Sequence, residues 1–152
     1  MTTLAYTSRA IIVSLATTLL ATLTLASPAH AYPAQNYKVC YLPSDCGYDW
    51  ASGNITWYSR TAGVQGHVVS GAGCDNAVDS TQVAFEAYAG ANKKDTQTRT
   101  TSGYCADLSY NFTIGDPNLV GGIDRIKVTV CVITDGERYC GEPWNYWKKD
   151  AV

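Results

Sequence analysis

Ile123-Asp124-Arg125-Ile126-Lys127-Val128-Thr129-Val130-Cys131-Val132-Ile133-Thr134-Asp135-Gly136-Glu137-Arg138-Tyr139-Cys140 is the stretch that decides how this chain folds. Ile126, Val128, Val130 and Val132 recur at every second position, with Arg125, Lys127, Thr129 and Cys131 between them. That period-2 alternation is the pattern of a strand with one buried face. Asp135-Gly136 follows, a strong signal for a two-residue hairpin, because a type I′ turn needs positive φ at both central residues. If this turn closes the hairpin, Thr134 faces Glu137 and Cys131 faces Cys140. Directly opposed residues of an antiparallel pair bring their Cβ atoms within disulfide reach, most easily at a non-hydrogen-bonded position. The register therefore predicts a Cys131–Cys140 staple, on the face away from Val130 and Val132, and sends those valines to the core.

Four further cysteines stand upstream, Cys40, Cys46, Cys74 and Cys105, making an even set of six. Three pairings of these four remain open, because spacing alone does not fix connectivity. The favoured one joins Cys40 to Cys46 around Leu42-Pro43-Ser44-Asp45, and Cys74 to Cys105 between a loop and the start of a strand. Metal ligation is the competing reading. It is disfavoured because no C-x2-C pair is present and the only histidine besides His30 is His67. No metal and no cofactor are expected.

Disulfides need an oxidising compartment, and the N-terminus supplies a route to one. Arg9 precedes Ala10 to Ala26, a run without a charge, and Ser27-Pro28-Ala29-His30-Ala31 ends in an A-x-A cleavage pattern. Residues 1–31 read as a cleaved signal helix, slightly short for a membrane span. No later run is apolar and long enough to span, so the expectation is a secreted, extracellular protein with no membrane contact after cleavage. Residues 32–39 read as an extended N-terminal arm, and 40–152 as a single domain. The net charge is −2 for the whole chain, one unit more negative without Arg9. Lys93-Lys94 and Lys148-Lys149 are the longest basic runs and read as solvated surface. Nucleic acid is disfavoured as a partner, since phosphate binding needs clustered Lys and Arg.

Val, Ile, Thr and Tyr recur between Gly, Asn, Asp and Ser at short intervals, which points to short antiparallel strands. The fold class is all-β, a small antiparallel β-sandwich with about three disulfides. Cys105 to Ile114 alternates, with Leu108, Tyr110, Phe112 and Ile114 on one face. Gln82 to Ala89 sets Val83, Phe85 and Ala87 against Ala84, Glu86 and Tyr88. Weaker strands are expected at Ile55 to Arg60, Val64 to Ser70 and Thr96 to Thr101. Asp116-Pro117-Asn118 and Gly121-Gly122 mark a loop.

No catalytic signature stands out. His67 could serve as a general base or a triad member, but Val64-Gln65-Gly66-His67-Val68-Val69 reads first as a strand carrying a polar residue. Asp45, Asp49, Glu86, Asp107 and Asp124 could pair as glycosidase carboxylates do, yet spacing indicates no pair. Asn54-Ile55-Thr56 and Asn111-Phe112-Thr113 match the glycosylation sequon, the second on an expected strand.

Aromatic usage is more informative. The chain holds 11 Tyr and 4 Trp against 2 Phe, and all of them except Tyr6 follow residue 31. Tyr and Trp combine an apolar face with a polar handle and suit interfaces. One group is Tyr41, Tyr48, Trp50, Trp57 and Tyr58; the other is Tyr139, Trp144, Tyr146 and Trp147. Candidate binding residues are Tyr32, Pro33, Tyr37, Trp50, Trp144, Tyr146 and Trp147. The arm from Tyr32 to Tyr37 could add a strand to a partner or enter its cleft.

Gly122-Ile123-Asp124-Arg125-Ile126-Lys127-Val128-Thr129-Val130-Cys131-Val132, followed by Cys140-Gly141, resembles the last strand and closing hairpin of small exported β-sandwich proteins of Gram-positive actinomycetes. One member type is the small adaptor subunit of umbrella toxin particles. That resemblance implies a non-enzymatic linker between a lectin-like subunit and a toxin stalk, with the arm at Tyr32 to Tyr37 in a partner's cleft. The leading expectation is a protein-interaction component (adaptor, inhibitor or toxin-complex subunit) whose partner is another secreted or cell-surface protein. A carbohydrate-binding module stacking polysaccharide on Trp144, Trp147 or Trp50 is the alternative, and a small secreted hydrolase comes third.

Overall fold

The computed structural model describes residues 33–71, 80–101, 103 and 105–152. The expected signal and Tyr32 lie outside the described residues. The strands are β1 (Ala34–Leu42), β2 (Asp45–Trp57), β3 (Thr61–Val69), β4 (Ser80–Ala89), β5 (Asn92–Thr100), β6 (Asp107–Gly115), β7 (Arg125–Thr134), β8 (Glu137–Cys140) and β9 (Trp144–Trp147). All pair antiparallel, in a four-stranded sheet ordered β1-β2-β3-β6 and a five-stranded sheet ordered β5-β4-β7-β8, with β9 also on β7. Among the described residues the fold is all-β, as the alternation and turn spacing predict.

The hairpin forms in the expected register. Asp135 has φ 54° and Gly136 φ 80°, and Thr134 faces Glu137. Gly141 N–H donates to the Val130 carbonyl at 3.0 Å, which makes Cys131–Cys140, the next pair, a non-hydrogen-bonded one. That is the position at which two cysteines approach most closely, and they are bridged, with Cα atoms 4.0 Å apart. Cys40 and Cys46 are also bridged. Cys105 is in a disulfide too; Cys74, expected as its partner, lies outside the described residues.

Beyond Cys140 the chain keeps to the same edge. β8 lies against the end of β7 from Cys131 on, and β9 takes over at Val128, with the register slipping by one residue between them. Gly141 sits at the slip. A Cβ there would run into the Tyr41 carbonyl of β1, so this glycine lets the two sheets approach along one seam.

The core fills the space between the sheets. Ile126, Val128 and Val130 of β7, Val83, Phe85 and Ala87 of β4, and Val39, Ile55, Trp57, Val64, Val68 and Ile114 of the other sheet are all fully buried. At its centre Phe85 meets Tyr37, Tyr110 and Phe112 edge-on, at centroid distances of 5.7, 5.6 and 5.3 Å. Buried hydroxyls need partners. Tyr110 Oη donates to the His67 carbonyl at 3.3 Å, leaving its oxygen to accept from Tyr37 Oη. Room for the pair comes from Gly66, which faces Gly53 across β2 and β3. A Cβ on Gly66 would run into Tyr37 Oη and the Ser52 carbonyl, and one on Gly53 into the Gln65 carbonyl.

Burial pushes both hydroxyls well above the ordinary tyrosine range, and for Tyr110 the neighbouring Tyr37 adds to the rise. A raised folded-state pKa means the unfolded chain releases the proton first. Their contribution is complete below pH ~10 and falls by up to ~1.4 kcal/mol per pH unit per tyrosine above it. Urea denaturation at pH 9 and pH 11 is expected to show a loss of stability that shrinks in a Tyr37→Phe/Tyr110→Phe variant. An equal loss in the variant would assign the effect to other groups.

Several expectations need correction. Residues 32–39 do not form a free arm as far as they are described: Pro33 O accepts from Trp57 N–H at 3.0 Å, and β1 runs from Ala34 along β2. Tyr37 is 3 % exposed, in the core. The strand expected at Ile55 to Arg60 begins at Asp45 and ends at Trp57, with Ser59 and Arg60 in a bend. Lys148 is not simply solvated: its ammonium donates to the Tyr58 and Ser59 carbonyls at 2.7 and 3.0 Å, fixing the C-terminal segment against that bend.

Candidate functional site

Side chains alternate across a strand, and this separates the aromatics that adjoin each other in sequence. On β9, Trp144 and Tyr146 face Val128 and Ile126, the inward side, whereas Trp147 faces Arg125 on the outer side. Tyr146 is half-buried, packs edge-on against Tyr37 at 6.0 Å and reaches the Lys38 backbone. Trp147 lies beside Arg125, whose guanidinium is 5.1 Å from the Trp147 ring and 4.1 Å from Tyr88. Trp50 is on the other sheet, with the Lys38 ammonium 5.2 Å from its ring and His67 edge-on at 4.9 Å. Trp57, grouped with Trp50 by sequence, is fully buried. Trp50, Trp144 and Trp147 thus look out on three different surfaces and form no common platform.

One of those surfaces is apolar and rigid. Along the chain Trp144 lies between Gly141, whose backbone closely approaches the Tyr41 carbonyl of β1, and Tyr146, which hydrogen-bonds the Lys38 backbone. It is 54 % exposed, and Tyr139 and Leu42, carried by the same two edges, are 49 % and 52 % exposed. Disulfides flank the seam on either side, Cys40–Cys46 at the β1–β2 turn and Cys131–Cys140 at the β7–β8 hairpin. Exposed Trp, Tyr and Leu on a cross-linked backbone meet a partner at reduced entropic cost.

A second surface is the outer face of the four-stranded sheet. The register sets Ser52 opposite His67. Ser52 Oγ is 3.1 Å from His67 Nε2, and Asp107 Oδ2 is 3.2 Å from His67 Nδ1. The three side chains come from adjacent strands β2, β3 and β6 and form a continuous chain across the face. Beside it runs a shallow groove lined by Gln65, Gly66, His67, Ser109, Tyr110 and Asn111. Sequence reading singled out His67 and Asp107 separately and passed over Ser52. The strand register, which brings the three together, was the signal needed.

The other candidate carboxylates are spread through the fold in structural roles. Asp49, 5 % exposed, accepts from Thr81 Oγ1 at 2.5 Å and Gly71 N–H at 3.1 Å, linking the two sheets at one end. Asp45 accepts from Gly47 N–H and Asp124 from Gly90 N–H, each at 2.9 Å. Glu86 pairs with Lys93 at 2.9 Å and with Lys127. Burial acts to raise the Glu86 carboxyl, but hydrogen bonds from Lys127 and Lys93 outweigh it and hold the group below the usual range. Asn54 and Asn111, the sequon asparagines, lie on the outer face beside the His67 chain, Asn54 donating to Asn36 at 3.2 Å. Among the described residues no group of three or more His, Cys, Asp or Glu could hold a metal ion. No helix among the described residues is long and apolar enough to cross a membrane. The bridged cysteines fit an oxidising environment. Compared with known proteins, the chain matches no protein family, no curated protein and no solved structure.

Proposed function

We propose that this chain is a secreted protein-interaction module that docks another secreted or cell-surface protein on the seam around Trp144. The observation that carries the reading is Trp144, 54 % exposed on the seam where Gly141 approaches the Tyr41 carbonyl and Tyr146 reaches the Lys38 backbone, with Tyr139 and Leu42 also exposed on the same two edges and a disulfide in the hairpin of each edge. Large aromatic side chains supply most hot spots in protein interfaces, and a preformed surface avoids the ordering cost of binding. The adaptor role implied by the resemblance to umbrella-toxin subunits agrees with such a surface. From Pro33 onward the contact would be made by a braced edge rather than by a free arm.

The test is capture of a partner from culture supernatant by tagged protein, followed by titration of that partner against variants. Trp144→Ala is expected to weaken binding by about 30-fold or more, the loss typical of a hot-spot aromatic. Tyr139→Ala and Leu42→Ser should each weaken it by less. Unchanged binding in all three variants would remove the seam from the interface. Retention on insoluble polysaccharide that disappears in Trp144→Ala, with no protein captured, would favour carbohydrate recognition instead.

A further inference from the structure

The outer face of the four-stranded sheet carries chemistry that docking at the seam does not use. An ionised carboxylate only accepts hydrogen bonds. In the neutral imidazole, the 3.2 Å contact with Asp107 favours the tautomer with the proton on Nδ1, in which Nε2 is an acceptor 3.1 Å from Ser52 Oγ. Nucleophile, base and orienting acid thus stand in the sequence of contacts that activates a serine.

We propose that Ser52, His67 and Asp107 form an acyl-transfer site on this face, acting on small, accessible esters. Ser52 Oγ attacks the ester carbonyl carbon while His67 Nε2 takes the hydroxyl proton. The carbon–oxygen bond to the alcohol breaks, and His67 returns the proton to the departing oxygen. Water then attacks the acyl-Ser52 carbonyl, giving its proton to His67, and the proton passes back to Ser52 as the carboxylic acid leaves. The sum is ester and water going to acid and alcohol, with no other reactant.

Three features define the site further. All three residues lie on strands, whose pairing fixes them more tightly than loops would. Tyr110 holds the His67 backbone carbonyl from the core side at 3.3 Å. Lys38 is the cross-strand neighbour of Ser52, with its ammonium 5.2 Å from the Trp50 ring, and it is the cation assigned here to the negative charge that develops on the carbonyl oxygen. Exposure sets the scale: the His67 and Asp107 side chains are 36 % and 56 % exposed. Water weakens their electrostatic support, so the acceleration is placed within the ~10²–10⁴-fold range of positioned general-base chemistry. The open groove beside His67 favours short acyl groups over long chains.

The experiment treats the full chain, processed as it is in its producing cell, with a fluorophosphonate, and maps the adduct by mass spectrometry. The expected result is a single adduct on Ser52, labelled at least 10-fold more slowly in His67→Ala and more slowly in Asp107→Asn. Hydrolysis of p-nitrophenyl acetate above the buffer rate should fall at least 10-fold in Ser52→Ala. Near-UV circular dichroism of each variant should match that of the unaltered protein, which separates loss of chemistry from loss of fold. No adduct, an adduct at another residue, or full hydrolysis by a correctly folded Ser52→Ala variant overturns the assignment. Binding at the Trp144 seam stands or falls separately, because none of these three residues lies there.

Discussion

Truncating Phe85 to alanine is expected to lower stability by about 3–5 kcal/mol. The ring is fully buried on β4 and is the common neighbour of Tyr37, Tyr110 and Phe112. Those three belong to β1 and β6 of the opposite sheet, so this one side chain joins the two layers. Removing it forfeits the transfer energy of a buried ring and leaves a cavity that two hydrogen-bonded sheets cannot close. The edge-on ring contacts add ~0.5–1.5 kcal/mol each beyond burial. Phe85→Leu keeps much of the volume and should cost less than half as much. Urea denaturation checks both, reading a shift in midpoint with an unchanged slope. A loss under ~1 kcal/mol for Phe85→Ala would mean that the neighbouring rings repack.

Replacing Cys131 and Cys140 together by alanine is expected to cost about 2–3 kcal/mol, the chain-entropy value for a cross-link of this span. The separation is 9 residues. Cys131 is also fully buried although it points away from the main core, so the packing of the bridge against the outer face is lost as well. The effect should reach the proposed docking surface, because Tyr139 and Gly141 flank Cys140. Stability by denaturation in the absence of reductant, and partner affinity in the same variant, are the two readouts. A stability loss below ~0.5 kcal/mol would mean that the Asp135-Gly136 turn holds the register alone.

Much of this architecture is legible in the sequence, for a reason that differs from strand to strand. β7 and β4 are central in their sheet and buried on the inner face, so alternation of Val and Ile with polar residues is strict and readable. The Asp135-Gly136 turn then converts that pattern into a register and a disulfide. β1 escaped because its inward set is short, Tyr37 and Val39, and follows Pro33 and a polar stretch that looks like coil. β9 was not recognised as a strand because Trp144-Asn145-Tyr146-Trp147 has aromatics on both faces, which hides the alternation. The same geometry dispersed the expected aromatic patch, since residues two apart share a face and residues three apart do not. The Ser52–His67–Asp107 chain was illegible for another reason. Ser52 and His67 meet through the hairpin that turns at Ser59-Arg60, which lacks the Asn-Gly or Asp-Gly signal of a readable turn. No local turn fixes β6 on β3, where Asp107 stands 40 residues after His67.

The contact between Ala34 N–H and the Val152 carbonyl, 3.2 Å long, bears on when this fold can be completed. A polypeptide is made from its N-terminus, so β1 and β2 can pair early through their short turn. The other side of β1 waits for β7, β9 and the residues up to Val152, which are made later. Contacts of such high sequence separation slow folding. Until they form, the inward rings of Tyr37 and Trp57 have no opposing layer. Deleting the few residues up to Val152 therefore removes the latch of the first strand, and the damage should appear far away in sequence, as faster hydrogen exchange in β1.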